Sequence, residues 1–176
     1  MANVEWITFD CYGTLIDWEE GITRALAPFL PFPGQKDELS SRYIKLEAEV
    51  EKGDYRPYRK VLALTSARLM EQMGLPLPPG KENVLPDSLP HWPAFPEVPD
   101  SLRALHAAGY RLAILSNVDR DLLNASVSRL GVKPDLLVTA QNCHSYKPAP
   151  GHWQHFQRLG RTAPSHTLHV GASLYH

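Results

Sequence analysis

The sequence predicts an α/β fold in which a parallel sheet carries a helical insertion after its first strand. Three observations lead there. From residue 101 onward, short apolar runs alternate with helix-sized segments, the pattern of parallel strands joined by right-handed crossovers. Residues 17–75 show helical periodicity and no convincing strand. Between these blocks, Pro76 to Pro99 holds eight of the chain's sixteen prolines, a density that admits neither a continuous helix nor a central strand.

Each element follows from local chemistry. Trp6 to Phe9 reads as a short buried strand, which Asp10 ends and Gly13 and Thr14 turn. Asp37 to Lys52 spaces Leu39, Tyr43, Leu46 and Val50 at helical intervals. Pro57 to Met73 opens with proline in its first turn, repeats Val61, Leu62, Leu69 and Met73 with helical period, and stops at Gly74. The proline-rich stretch reads as a stiff connection rather than a packed lobe. Next come a helix from Ser101 to Ala108 closed by Gly109, a strand from Leu112 to Leu115, and a helix from Asp119 to Leu130 closed by Gly131. Leu136 to Thr139 is a further strand, Gly151 to Leu159 a helix, and Thr167 to Val170 the last strand. The expected organisation is a discontinuous, Rossmann-like α/β core of residues 1–16 and 93–176, an inserted α-helical cap of 17–75, and a connection of 76–92.

Composition narrows the function. A net charge of -1 and a pI near 6.7 give no basic footprint for nucleic acid. No apolar run approaches the ~18 residues of a membrane span, and the N-terminus lacks the layout of a signal peptide. Cys11 and Cys143 are the only cysteines, which supports neither a disulfide framework nor a zinc cluster. A cytoplasmic setting is the default expectation, without nucleic-acid or membrane partners.

Asp10 is the residue best placed for chemistry, because ligands of open α/β sheets bind beyond the carboxyl ends of the strands. A carboxylate there can attack as a nucleophile; a turn-forming aspartate is the plain alternative. Ser116 and Asn117 close a strand just ahead of a helix start and offer a hydroxyl and an amide for an anion, or simply cap that helix. Lys147 lies in a loop after a strand, where a lysine is ordinarily solvated. His152 and His155, three apart on a helix with no third ligand evident, read as surface histidines.

Four segments, in order, resemble motifs of the haloacid dehalogenase (HAD) superfamily, and more narrowly its L-2-haloacid dehalogenase (type II) branch. They are Asp10-Cys-Tyr-Gly-Thr14, Leu115-Ser116-Asn117, Ser145-Tyr146-Lys147-Pro148 and Val170-Gly-Ala-Ser173, with Arg42-Tyr-Ile-Lys-Leu46-Glu47 as a fifth in the cap. The resemblance spans essentially the whole chain. It implies that Lys147 pairs with a nucleophilic Asp10, favouring the charged carboxylate, and that Arg42 closes over the site and receives a halide. The plain alternative for Arg42 is a solvated arginine beside Glu47, Glu49 and Glu51. The resemblance also gives Leu46 a place against the substrate. Thr14 is expected to bond the nucleophile or, equally, to stabilise its turn. Trp153 stands where those enzymes carry a tyrosine, and Leu174 where they carry an asparagine, which puts any polar role of either position in doubt.

Tyr12 separates two chemistries. Phosphatases of the superfamily carry a second Asp two residues after the nucleophile, which protonates a departing alkoxide, help worth roughly 10²–10⁴-fold. A halide leaves as a stable anion and needs no such acid, and an aromatic wall suits a small apolar substrate carbon. Ala172 stands where many of the phosphatases have a magnesium-binding Asp. The expected reaction is therefore hydrolysis of a short L-2-haloacid to a 2-hydroxyacid and halide, through an ester on Asp10 and without a cofactor. Thr14, Arg42 and Lys147 would assist, and Tyr12, Leu46, Ser116, Asn117 and Trp153 would hold the haloacid. A magnesium-dependent phosphatase and a non-catalytic relative are the alternatives, and a homodimer is a candidate assembly because such enzymes often dimerise. The resemblance further implies an acidic residue one position beyond His176, followed by more sheet and helix, so the chain is expected to be truncated.

Overall fold

The computed structural model describes residues 4–31 and 36–172. Its centre is a parallel sheet of β1 (Trp6–Phe9), β2 (Arg111–Ser116), β3 (Leu136–Thr139) and β4 (Thr167–Val170) in the order β3-β2-β1-β4. Phe9 lies opposite Ile114 on one side and Val170 on the other, so β1 and β4 end level, while β2 runs two residues further and ends level with β3, Ser116 opposite Thr139. Alternation along β1 explains why it is buried throughout. Ile7 and Phe9 join the main core, whereas Trp6 packs with Ala113, Leu115, Val138 and Phe156 beneath the opposite face. The strand limits of β1, β3 and β4 coincide with those read from apolar runs, and β2 extends one residue further at each end.

After β1 the chain turns at Gly13, whose φ of +94° is costly for any residue with a Cβ. Helix α1 (Trp18–Leu26) then starts with Asp17 accepting a bond from the Glu20 N–H at 2.9 Å. Helices α2 (Lys36–Val50) and α3 (Tyr58–Gln72) pack on each other through Leu39, Tyr43, Val50, Val61, Leu62 and Leu69, all buried. Pro57 lies just before α3 instead of inside its first turn.

The proline-rich stretch departs from its expectation. It folds into α4 (Val84–Ser88) and a single 3₁₀ turn, and Leu85, Leu89 and Trp92 are among the most buried side chains of the core. Pro86 and Pro90 fall within first turns, where the missing N–H has no intrahelical partner to lose. Proline density thus shortened these helices without preventing burial. The returning chain then docks on the residues that left the sheet: Asp17 N–H donates to Pro93 O, and Phe95 N–H to Leu15 O, at 2.9 and 3.1 Å.

The remainder alternates as expected, with α5 (Val98–Ala107), which starts three residues earlier than read, α6 (Arg120–Val127) and α8 (Gly151–Gly160), and adds an unpredicted short α7 (Ala140–Cys143) after β3. Among the described residues, no helix is long and apolar enough to cross a membrane. Ser173 and Leu174 lie outside the described residues.

Candidate active site

The carboxyl ends of the strands converge on one cavity of about 1210 Å³. Asp10 follows β1, Ser116 ends β2, Lys147 lies in the loop after α7, and Ala172 follows β4; all four line it. The helical layer closes the opposite side with Trp18, Ile22, Tyr43, Glu47, Glu51 and Tyr58.

The Lys147 Nζ donates to Asp10 Oδ1 at 2.7 Å, and both side chains are almost wholly buried, at 0% and 8% exposure. A buried ion pair is costly to assemble from water and much costlier to leave half-made, so each charge requires the other. Asn117 fixes the lysine's backbone from both sides: its Oδ1 accepts from Lys147 N–H at 2.6 Å and its Nδ2 donates to Lys147 O at 3.2 Å. That commits the Asn117 amide to the loop rather than to a ligand. Ser116 is buried with its side chain at the cavity wall.

Thr14 serves the loop that carries Asp10. Its Oγ1 accepts from Ala172 N–H at 3.0 Å, tying the turn after β1 to the turn after β4. Tyr12 lines the cavity with its ring edge-on to Trp92, and its hydroxyl meets Ser126 Oγ at 3.0 Å. Burial pushes that phenol well above its ordinary value, so Tyr12 is a wall and a poor proton donor.

Four residues named from sequence do not line the cavity: Thr14, which serves the turn, and three that lie further off. Arg42 donates to Glu38 one turn earlier at 2.6 Å, on the exposed side of α2. The solvated alternative describes this placement, because the α2 stripe that faces inward runs through Leu39, Tyr43, Leu46 and Val50. Leu46 is buried within the core and is absent from the cavity wall. Trp153 packs edge-on against His169, ring centroids 4.5 Å apart.

Other residues were missed. His152 is fully buried, with Nε2 3.1 Å from Ser116 O and Nδ1 unpartnered among the described residues. Burial lowers its pKa to about 4, so the ring is neutral and Nε2–H donates to that carbonyl. The signal was available: His152 lies one helical turn before Phe156, on the buried face of α8. Glu47 and Glu51, read as surface charges, face the cavity. Tyr43 and Tyr58 hydroxyls both donate to Glu47 Oε1, at 2.8 and 2.6 Å. Burial raises the Glu47 carboxyl, and raises Glu51 to about 8 with the Glu47 charge adding. Asp119, at the start of its own helix, accepts from Tyr58 N–H and Arg59 N–H at 3.0 and 2.8 Å. It caps α3 across the boundary between the sheet and the helical layer.

Among the described residues, no three His, Cys, Asp or Glu side chains converge as a metal site would require. A carboxylate paired with an ammonium at the mouth of a parallel sheet, beneath a helical layer, belongs to a class of α/β hydrolases with an enclosed site. Comparison with known proteins places the chain within that class. It belongs to the haloacid dehalogenase-like hydrolase family, whose model matches residues 4–175. It is 33% identical over 155 residues to the (S)-2-haloacid dehalogenase of Pseudomonas sp. (strain YL), covering 84% of this chain and 66% of that protein. It is 30% identical over 157 residues to haloacetate dehalogenase H-2 of Moraxella sp. (strain B), covering 85% and 69%. The chain thus spans about two thirds of the length of these relatives. Its fold superposes on the L-2-haloacid dehalogenase RSc1362 with a TM-score of 0.85 at 25% identity, covering 97% of this chain and 79% of that one.

Proposed function

We propose that the protein hydrolyses the carbon–halogen bond of short L-2-haloalkanoic acids. Asp10 attacks C2 from the face opposite the halogen; the new C–O bond forms as the C–halogen bond breaks, and the halide leaves with the electron pair. Water then attacks the Asp10 ester carbonyl, releasing the 2-hydroxyacid and restoring the carboxylate, with one proton passing to solvent. Lys147 balances the Asp10 charge, and Ser116 faces the substrate carboxylate. Arg42, turned toward Glu38, is given no step in this reading, and no cofactor takes part.

The observation that carries it is the buried Asp10–Lys147 pair facing a cavity in which Tyr12 occupies the position an acid would need for phosphate ester cleavage. The activities for which the relatives are named, on 2-haloacids and haloacetate, agree with it.

The test is intact-protein mass spectrometry after incubation with L-2-chloropropionate, with chloride release followed in parallel. An adduct or free chloride, absent from Asp10→Asn, is expected. Full chloride release by Asp10→Asn, or neither signal from a folded wild-type chain, would overturn the reading.

A further inference from the structure

The cavity is much larger than the proposed reaction needs. Pockets of ~300–1,000 Å³ suit drug-sized ligands, whereas a three-carbon haloacid has about six heavy atoms and, on the ~30 Å³ that a water occupies in the liquid, fills only a small part of 1210 Å³. Aromatic rings supply much of the remaining wall: Trp18 stacks at a tilt on Tyr43, and Tyr55 on Tyr146, at centroid separations of 5.6 Å in both pairs. Flat walls of this kind suit a flat apolar body.

Beyond those rings the wall carries two carboxylates and a phenol hydroxyl. Glu47 is clamped by two phenols, and the side chain of Glu51, one helical turn further on, has no hydrogen-bond or ion-pair partner among the described residues. The Tyr55 hydroxyl is buried and likewise unpartnered. Among the described residues, the cations of the wall make no ion pair with these carboxylates, although Lys147 partly offsets the Glu51 charge at a distance. Lys147 is bound to Asp10, and Lys45 and Lys52 are exposed side chains with no ion pair to either glutamate. Both glutamates are half-buried; a partly desolvated charge without a counter-ion is costly, and an incoming ligand could supply the missing one.

We propose that, besides short 2-haloacids, the site takes longer ones, for which the helical wall around Glu47, Glu51 and Tyr55 favours an aromatic middle and a cationic, hydrogen-bond-donating far end such as an ammonium. This rests on Asp10 acting at the other end of the same molecule. The raised Glu51 carboxyl fits an unoccupied state that holds a proton in place of that cation.

Binding of 2-phenylethylammonium, 2-phenylethanol and 3-phenylpropionate, three probes of similar shape, is to be compared by titration calorimetry. The ammonium should bind wild type on the order of tenfold more tightly than either other probe, equivalent to about 1.4 kcal/mol. That preference should shrink to about threefold or less in Glu47→Gln and Glu51→Gln variants shown to be folded by circular dichroism. Tighter or equal binding of the carboxylate, a preference unchanged in both variants, or no binding of any probe at millimolar concentration would overturn the proposal. Because binding is read without turnover, adduct formation with L-2-chloropropionate reports separately on the reaction. Ammonium preference without adduct would sink the dehalogenase reading alone, and adduct without preference would sink this inference alone.

Discussion

At the scale of single residues, the site is governed by which charges are paired. Replacing Lys147 with Met leaves a buried Asp10 carboxylate alone, and breaking such pairs costs about 3–5 kcal/mol. Lys147→Met should therefore unfold at lower urea and lose adduct formation; unchanged stability would contradict the geometry. Glu51 makes the complementary case. Its ordinary pKa is near 4.5 and its folded value about 8 through burial and the Glu47 charge, with Lys147 opposing. Below the ordinary value both states hold the proton. Between the two values the folded chain keeps a proton that the unfolded chain has released, so stability falls as pH rises toward 8. Glu51→Gln should flatten this slope, and thermal melts from about pH 5 to about pH 8.5 should separate the variants by several degrees. Sequence made Asp10 legible because strand, aspartate and glycine turn are contiguous. It hid Glu47 and Glu51 because α2 carries acids on two faces, and only the position of Tyr58 on a neighbouring helix distinguishes them.

At the scale of elements, the strands were legible because burial on both faces demands continuous apolar runs. The placement of helices depended on side chains distant in sequence. Asp119 shows this best: Pro57, ahead of α3, offers no side-chain cap, and a carboxylate sixty residues away supplies it. Asp119→Ala should cost about 1–2 kcal/mol, as helix caps do. It should speed amide exchange first in the opening turn of α3; uniform protection would count against the latch. A second contact is steric. A Cβ on Gly21 of α1 would lie 2.3 Å from Trp92 Cγ, so the indole packs directly on the helix backbone. Alanine would improve helix propensity by up to ~1 kcal/mol, yet a clash with a buried ring should outweigh it. Gly21→Ala is expected to destabilise by about 1–3 kcal/mol in chemical denaturation. The proline-rich stretch escaped the sequence reading for the same reason: its prolines advertised breaks, while Leu85, Leu89 and Trp92 supplied the anchors.

At the scale of the whole molecule, the sheet brings Asp10, Ser116 and Lys147 to one end, and the helices inserted after β1 form the opposite wall of their cavity. Both halves share one hydrophobic core, since Ile7 and Phe9 of the sheet belong to the same cluster as Leu62 and Leu69 of the helical layer. The division of tryptophans follows from that plan. Of the four, Trp18 and Trp92 line the cavity, whereas Trp6 packs against Phe156 and Trp153 against His169. The molecule therefore contains its own optical gauge. A heavy halogen entering the cavity should quench the emission of two indoles and spare the other two. Titrating the Asp10→Asn protein with 2-iodopropionate should remove roughly half of the fluorescence at saturation, and Trp92→Phe should reduce that fraction. Quenching of all four indoles in parallel would mean that the halogen acts from bulk solvent. With the signal confined to the cavity, loading of the site becomes visible in real time, before any bond is broken.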